Sequence, residues 1–546
     1  MKKILVICLA CASAAAASAQ IRVGREGQLS GSVETNTIYY VEDKAIAGSA
    51  GSTEYDSDFG SHTFLKLDYN WKGLTVGAQA DVFLPSMRGY DITDYGKGKY
   101  DIALGAAYVK WQDKNYFVQG GTIFDQLGSG LVFRSWEDRA LAFNNALLGA
   151  EAEYDFGSYV KVKAIYGKPR LYFDWADSWV GAADLSVSLA DIFRMKSAAL
   201  SLEGSFVNRH QSLGAFTFAE DYGLTSPDLN MYSARLNFDW KGLSLRGEYV
   251  GKSDDVSKET PMAVAGNAWL AEVGYNRKGF SFLGSFRRLE HMLTYLVVND
   301  NAVLGGLGGG NVLNYVPAMT RQYTYMLANL NPYQVQADGE VGGQVDAYYA
   351  LRSKSDRSKY WNFHFNMSTY YTLKERIGEH RLLWRDVNFD VERQWNKKLK
   401  TSILFSRQEW DHEHGFGGSE QTYASNIFVG DVTYKFDRRK SLRAEVQYLY
   451  SDDYEGDWVA ALVEFNMAPK WSFFVSDMYN IDSTEEGIIS GTAENHFYNV
   501  GAAFSYKQTR VSLSYGRNRA GFVCSGGVCR FQPAYTGLNF VLTSSF

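Results

Sequence analysis

Trp361-Asn-Phe-His-Phe-Asn-Met-Ser368 alternates strictly between apolar and polar residues, and Asp386-Val-Asn-Phe-Asp-Val-Glu392 does the same. Successive side chains of a β-strand point to opposite faces, so this period of two predicts strands with one apolar and one polar face. The pattern recurs at residues 64–71, at 74–82 and in the last segment at 538–543. Each stretch spans about ten residues, the length that a tilted strand needs to cross a bilayer.

The composition excludes several other classes of protein. Of the 546 residues, 46% are hydrophobic and 15% aromatic, with 52 Gly and only 8 Pro, which argues against a disordered or collagen-like chain. Beyond the signal-like start, no apolar run approaches the ~18 residues of a membrane-spanning helix, so a helical transporter is excluded. The net charge of −6 gives no indication of a nucleic-acid partner.

Short and long connections alternate along the chain. Eleven short turns are basic or polar, as in Trp71-Lys-Gly73, Trp240-Lys-Gly242 and Arg277-Lys-Gly279, and the connections between them are longer and often acidic. This asymmetry is typical of a transmembrane barrel with tight periplasmic turns and long outer loops. It predicts an all-β fold, a single large antiparallel up-and-down transmembrane β-barrel over residues 20–546, with about 24 strands (about 22 to 26) and both termini periplasmic. A secreted soluble β-sandwich or propeller is the alternative.

Both ends of the chain carry targeting features. Residues 1–19 combine a basic start, an apolar stretch and an A-x-A site, which predicts a signal peptide cleaved between Ala19 and Gln20. The last residue, Phe546, resembles the terminal-aromatic signal by which bacterial outer-membrane barrels are recognised for assembly. These features predict a location in the outer membrane of a Gram-negative bacterium. Outer-membrane lipid and the barrel-assembly machinery are the partners that follow from this location.

Few residues suggest cysteine, metal or catalytic chemistry. Cys524 and Cys529 flank a Ser-Gly-Gly turn, and outside the cytoplasm they are predicted to form a local disulfide. His412 and His414 have the residue type of metal ligands but lack the HExxH helical spacing, and an acidic surface loop is the alternative interpretation. No serine or cysteine stands in an evident constellation with a base and an acid, so neither an enzyme nor a cofactor is predicted.

Several segments of the chain resemble a known family. Asn314–Ala328, Asn331–Tyr333 and Asp338–Glu340 are similar to a recurring segment of a family of Gram-negative outer-membrane proteins of unknown function. Gly128–Arg139 and Val523–Arg530 are also similar to that family, and the resemblance runs over nearly all of the chain after the signal peptide. It implies the location and the fold and adds no reaction, ligand or site.

The longest connection, residues 293–340, is a candidate plug or lid. It contains a glycine-rich run at 305–310 and then an apolar and aromatic segment that includes Tyr315, Arg321 and Tyr325. Because an open lumen of about 24 strands would leak large solutes, we expect this connection to fold into or over the lumen as a constriction. An outward surface flap is the alternative.

The connection near residues 125–143 is a second candidate for the constriction. It carries the alternating charges Arg134, Glu137, Asp138 and Arg139, which can form a transverse field that orients polar solutes. A solvated loop with weak local ion pairs is the alternative. The predicted function is a porin-like channel or gated conduit for polar small solutes. The alternative is a surface-exposed binding or structural protein, or a subunit of a surface assembly, with the barrel as its anchor.

Overall fold

The computed structural model describes most of the chain after the predicted signal peptide. The described residues are 21–46, 58–90, 101–141, 143–171, 174–213, 223–256, 262–296, 312–356, 358–412, 421–453, 455–482, 495–525 and 528–546. The predicted cleavage site at Ala19 and Gln20, the glycine-rich run at 305–310 and His414 lie outside these residues.

Within the described residues, 24 strands form one closed wall and are numbered β1 to β24 in chain order. They are Gly27–Val41, Phe59–Trp71, Leu74–Phe83, Asp101–Gln112, Tyr116–Ile123, Leu147–Phe156, Val160–Leu171, Ser178–Ser188, Ala198–Gln211, Asp228–Trp240, Leu243–Asp255, Val264–Arg277, Phe280–Glu290, Gly339–Arg352, Tyr360–Thr372, Leu382–Gln394, Leu399–Asp411, Thr422–Lys435, Lys440–Ser451, Trp458–Met467, Trp471–Asn480, His496–Tyr506, Thr509–Asn518 and Tyr535–Ser545.

Shorter elements lie in the connections and at the N-terminal side. The short strands are Ile21–Val23, Gln126–Leu127, Phe133–Arg134, Glu137–Asp138, Phe143–Asn144, Asp174–Trp175, Gly521–Ser525 and Val528–Gln532. The helices are Leu189–Ile192 and Lys374–Ile377, with a 3₁₀ turn at Leu327–Asn329. In the part of the chain that is described, none of the helices is long and apolar enough to span a membrane.

The wall closes on itself between its first and last strands. Every strand pairs antiparallel with its sequence neighbours, and β24 pairs with β1 from Ser32↔Ser545 to Val41↔Thr536. The backbone of Phe546 continues this ladder, since its N–H donates to the Gly31 carbonyl oxygen at 2.9 Å. Closure leaves no strand edge unpaired in the wall. It confirms the predicted all-β, antiparallel, up-and-down barrel of about 24 strands.

The short connections follow from local turn chemistry. At Lys241-Gly242 both residues have positive φ, 46° and 90°, as a two-residue type I′ hairpin requires. Gly27 at the start of β1 pairs with Trp71 beside such a turn. The start of β1 and the end of β24 therefore both lie at the short-turn end of the barrel. The long connections therefore lie at the opposite end.

The two faces of the strands are physically different. Large apolar side chains such as Ile403 (68% exposed) and Val446 (60% exposed) project from the outer face. In the stretch 361–368, Phe365 is exposed, whereas the polar neighbours Asn366 and Ser368 are fully buried. Tryptophans near the short turns are also exposed, namely Trp71, Trp111, Trp240, Trp395 and Trp471. The burial of the polar face shows that other parts of the chain cover it.

Candidate lumen constriction

Two connections cover the polar face of the wall. The first inner segment is residues 124–146, all but residue 142 described, and the second inner segment is residues 312–338. Within the second, the Leu327 N–H donates to the Gln447 side chain of β19 at 2.9 Å, and the Ala328 carbonyl accepts from Gln408 of β17 at 3.0 Å. The same segment contacts β13 and β16. The polar faces of strands this far apart turn toward one another only inside a closed barrel. A segment that contacts all of them therefore lies in the lumen.

Arg139 joins the first inner segment to the wall. Its guanidinium donates to Glu34 of β1 at 2.9 Å, to Gln79 of β3 at 2.9 Å and to Glu137 at 3.0 Å, and it lies 5.0 Å from the Phe64 ring centroid. Burial lowers the pKa of Arg139, but the carboxylates of Glu137 and Glu34 outweigh it and raise that pKa above its ordinary value. Arg139 is therefore a fixed positive charge between two acidic partners.

Arg134 and Tyr315 bring the two inner segments together. The Arg134 guanidinium stacks over the Tyr315 ring at 3.9 Å and lies 4.9 Å from the Trp136 ring centroid. The Arg134 N–H also donates to the Leu313 carbonyl at 3.0 Å. Asp138, in contrast, makes a local bond, because its carboxylate accepts the Leu141 N–H at 3.1 Å.

Two buried asparagines fix the contact between the segments. The Asn145 amide donates to the carbonyls of Arg134 at 2.9 Å and Val312 at 2.8 Å. The Asn314 amide donates to the carbonyls of Leu131 at 3.0 Å and Met292 at 2.7 Å. Irregular backbone inside a barrel needs such partners for its polar groups. Sequence reasoning assigned neither asparagine a role, although Asn314 begins the family-like segment.

Arg321 and Tyr323 place the second inner segment against the middle of β16. Arg321 lies 2.5 Å from Asp390 and 2.6 Å from the Asn388 side-chain oxygen, and the Tyr323 hydroxyl donates to Asp386 at 2.7 Å. Burial, and then the negative charge of Asp386, raise the pKa of Tyr323. Tyr323 therefore remains a neutral hydrogen-bond donor.

Two further groups extend the same polar region. His364 of β15 bridges two carboxylates, Asp390 at 2.9 Å and Asp346 at 2.8 Å. Tyr325 lies farther along the segment, where burial, and then the charge of Asp431, raise its pKa. Arg321 and Tyr325 thus contact a different part of the wall from Arg134, Glu137 and Arg139.

A buried ion pair holds the second inner segment near its end. Arg287 of β13 pairs with Glu340 of β14, and its guanidinium also donates to the Pro317 carbonyl. The other Glu340 oxygen accepts from the Tyr333 hydroxyl at 2.5 Å and from the Gln336 N–H at 2.9 Å. Both charged side chains are almost fully buried. They connect three points of the segment to one hairpin of the wall.

A second buried cluster holds the start of the same connection. Arg209 of β9 pairs with Asp255 of β11 at 3.0 Å and donates to the Tyr295 carbonyl. Lys252 donates to the Leu293 carbonyl at 2.9 Å. The cluster ends in His291, which hydrogen-bonds Asp338 at 2.7 Å and the Asp255 carbonyl at 2.9 Å. Charged residues at inward positions beside a long connection are the sequence signal that could have identified this cluster.

Apolar packing holds both segments inside the wall. Leu127, Leu131 and Phe133 of the first segment and Leu313 and Val316 of the second share one hydrophobic cluster with wall residues of β5 to β13. A second cluster packs Leu327 and Leu330 against the wall side chains Leu404, Ile427, Val429, Leu449, Trp458, Ala460 and Phe497. A fully buried leucine or phenylalanine contributes about 1.5–3 kcal/mol. Apolar packing therefore adds to the polar anchors on both sides of the lumen.

The wall near the short turns carries partly exposed charges of both signs. Lys66 lies 3.5 Å from Asp68 on β2, and Lys161 lies 2.5 Å from Glu153 across β7 and β6. Arg235 of β10 also contacts Asp184 and Glu203, but its side chain is buried. The wall near the short turns is therefore polar, and Lys66 and Lys161 are in contact with water.

The remaining predicted sites lie elsewhere. No group of three or more His, Cys, Asp or Glu residues placed to hold a metal ion occurs among the described residues, which include His412 but not His414. The backbones of Cys524 and Cys529 are register partners in the hairpin of Gly521–Ser525 and Val528–Gln532. The disulfide between them stays a prediction.

Several solved structures resemble the fold at low sequence identity. The translocation pore of the P pilus usher PapC has a TM-score of 0.45 and 9% identity, covering 95% of this chain and 99% of that chain. The siderophore receptor PirA from Pseudomonas aeruginosa has a TM-score of 0.40 and 8% identity, with coverages of 96% and 81%. OccK11 (OpdR) from Pseudomonas aeruginosa has a TM-score of 0.31 and 7% identity, with coverages of 97% and 99%.

Sequence comparison places the chain in a family. No curated protein matches it. The model of one family matches all of residues 1–546, and that family is described as a family of unknown function, DUF6029. The chain belongs to the family of unknown function DUF6029.

Proposed function

We propose that this protein is an outer-membrane conduit for small polar solutes whose lumen is narrowed by the two inner segments. The observation that carries the proposal is the contact of Arg321 and Tyr323 with Asp390 and Asp386, because these wall residues lie near the middle of β16. A segment anchored at this depth narrows a lumen that a barrel of this size would otherwise leave open.

The outer surface of the wall supports placement in a membrane. A closed barrel pairs the backbone hydrogen-bonding groups of every strand, as lipid requires, and the outer face of this one is apolar and exposed. The exposed tryptophans near the short turns fit an interfacial aromatic belt. In the proposed orientation the short turns and both termini are periplasmic. Outer-membrane lipid and the barrel-assembly machinery are then the partners, and Phe546 at the closing strand is the assembly signal.

The inner segments leave a polar passage through the lumen and do not pack into a fully closed core. All seven candidate residues of the constriction are half-buried, so each contacts its partners and still reaches the remaining space; they are Arg134, Glu137, Asp138, Arg139, Tyr315, Arg321 and Tyr325. Arginines next to carboxylates across a narrow lumen produce a transverse field that favours polar over apolar solutes. The charged wall near the short turns continues this polar surface.

Excision of the second inner segment tests the constriction. The His291 N–H donates to the Asp338 carbonyl at 3.0 Å and the Met292 N–H to the Ala337 carbonyl at 2.9 Å, so residues 291–292 and 337–338 extend the β13–β14 hairpin. Replacing residues 293–336 with Asn-Gly closes that hairpin with a favourable two-residue turn. We expect a severalfold rise in single-channel conductance in planar bilayers and passage of larger sugars in liposome-swelling assays.

A matched control separates loss of the segment from loss of outer-loop charge. Substitution of Lys374 and Glu375 with serine, in the short helix at the long-connection end, should leave the conductance unchanged. An assembled excision variant with wild-type conductance would contradict the constriction. A wild-type barrel that conducts no ions and retains a tightly bound partner would instead support the alternative of a surface-exposed binding protein or assembly subunit.

A further inference from the structure

A basic pocket lies at the short-turn end of the barrel. It has a volume of about 450 Å³ and lies where the turns after β16, β18 and β20 come together. Six cationic residues line it, Lys397, Lys398, Lys435, Arg438, Arg439 and Lys440. The lining contains one carboxylate, that of Asp437. The pocket therefore concentrates positive charge on two adjacent hairpins, those of β16–β17 and β18–β19.

The six cations of the basic pocket are available to a ligand. None of them forms an ion pair with another described residue, whereas the nearby Lys400 is held by Glu392 at 2.8 Å. The Asp437 carboxylate is already used in its own turn, since it accepts the backbone N–H groups of Arg439 at 2.6 Å and Lys440 at 2.9 Å. A cluster of unpaired cations around a concave surface is a site for an anionic group.

The surroundings of the basic pocket favour a lipid over a soluble anion. Trp395, Phe436, Met467 and Trp471 are exposed on the outer face of the same hairpins. Aromatic side chains at this level of a barrel mark the boundary between hydrocarbon and headgroups. The cations just beyond them therefore lie at the depth of the phosphate groups of the adjoining leaflet.

We propose that the basic pocket binds the phosphate headgroup of an anionic phospholipid, with the acyl chains along the exposed aromatic side chains. Guanidinium and ammonium groups recognise phosphate by charge-assisted hydrogen bonds, and basic residues at a membrane surface attract anionic lipids. The proposal rests on the membrane placement given above and is independent of the conduit. It assigns a lipid-binding site to the turns after β16 and β18.

A second pocket on the same rim provides a matched control. It has a volume of about 550 Å³ beside the turn after β10, and its charged lining is Lys196, Asp239 and Lys241. Asp239 is paired with Arg246 at 2.8 Å. The second pocket matches the basic pocket in size and position and has far less positive charge.

Native mass spectrometry of the purified full-length barrel in nonionic detergent tests the proposal. Dioleoyl-phosphatidylglycerol and dioleoyl-phosphatidylcholine are titrated against wild type, the variant K397S/K398S/R438S/R439S and the control variant K196S/K241S. Each basic residue near an anionic surface raises lipid affinity about fivefold (about 1 kcal/mol). We therefore expect the quadruple (fourfold) variant to bind phosphatidylglycerol at least about tenfold more weakly than wild type. The control should stay within about twofold of wild type.

Further arms of the experiment distinguish the ways in which the proposal can fail. The double variant R438S/R439S should lose an intermediate part of the phosphatidylglycerol affinity. It replaces the quadruple variant if that one does not fold, and heat-modifiable mobility on gels reports whether each variant is assembled. Unchanged phosphatidylglycerol binding in both variants, or equal displacement of the lipid by inorganic phosphate or an acidic peptide, would overturn the lipid site. Failure of the wild-type barrel to insert into phosphatidylcholine vesicles would overturn the membrane placement together with the site.

Discussion

The buried pair of Arg287 and Glu340 allows the anchoring of the second inner segment to be tested quantitatively. Glu340→Gln keeps a hydrogen-bonding group for Tyr333 and Gln336 but leaves the Arg287 guanidinium, only 1% exposed, without its carboxylate. Removing one partner of a buried ion pair costs about 3–5 kcal/mol, because the remaining charge stays desolvated. Opening of residues 312–338 hydrates that charge. The cost therefore falls on the closed position of the segment.

Hydrogen exchange measures this cost directly. If the segment exchanges through local opening, a loss of about 3–5 kcal/mol accelerates its amide exchange by about two to three and a half orders of magnitude. The double variant R287Q/E340Q removes both charges and leaves two amides, so its cost should fall to about 0.5–1.5 kcal/mol, the range of an ordinary hydrogen bond. Mass spectrometry of peptides from residues 312–338 reports the rates, and peptides from β23 and β24 serve as internal controls.

Two results would refute this reasoning. Exchange of the second inner segment in Glu340→Gln within about threefold of wild type would show that the pair does not restrain it. Exchange in the double variant as fast as in the single variant would show that hydrogen bonds, and not an uncompensated charge, account for the loss.

Two other substitutions and one deletion test further parts of the structure. Arg321→Gln uncovers the Asp390 carboxylate, so the reversal potential in a salt gradient should shift toward cation selectivity. Burial raises the pKa of Asp453, in the connection after β19, to about 7. The folded loop therefore binds the Asp453 proton more tightly than the unfolded chain does. The stability that this protonation gives the folded loop is fully present below about pH 4 and is lost as pH rises through 7. Between pH 5.5 and pH 8, hydrogen exchange at residues 452–457 should accelerate by more than the ordinary pH dependence of amide exchange. Asp453→Asn should remove that excess. Deletion of Phe546, whose backbone pairs with β1, should lower the heat-modifiable, assembled fraction on gels.

The wall could be predicted from the sequence because its determinants are local. Alternation within 361–368 and 386–392 reflects two environments on opposite faces of one strand, and a pair such as Lys241-Gly242 specifies a turn by its own φ values. Eleven such turns gave the strand number without any knowledge of which residues meet across the lumen. Closure between β1 and β24 then follows from the physics of lipid exposure.

The position of the inner segments could not be predicted in the same way. Tyr323 meets Asp386 across 63 residues of sequence, and Leu327 meets Gln447 across 120. Polarity marked Asp386 as facing the lumen but could not indicate whether water or a tyrosine would occupy the space beside it. Sequence reasoning therefore gave Arg134, Arg139 and Arg321 a common role at one constriction. The structure places the first two against one side of the lumen and Arg321 against another.

The inner segments change how the polar face of this barrel is interpreted. The second segment has little regular secondary structure, so inside the barrel its carbonyl groups need donors from the wall. Arg287 donates to Pro317, Tyr370 to Met319 and Gln408 to Ala328, and none of these donors belongs to the segment itself. Part of the inward polarity therefore satisfies irregular backbone and carries no information about a solute. Selectivity therefore depends on polar side chains that still reach the remaining space, such as the half-buried Arg321 and the partly exposed Lys66 and Lys161 near the short turns.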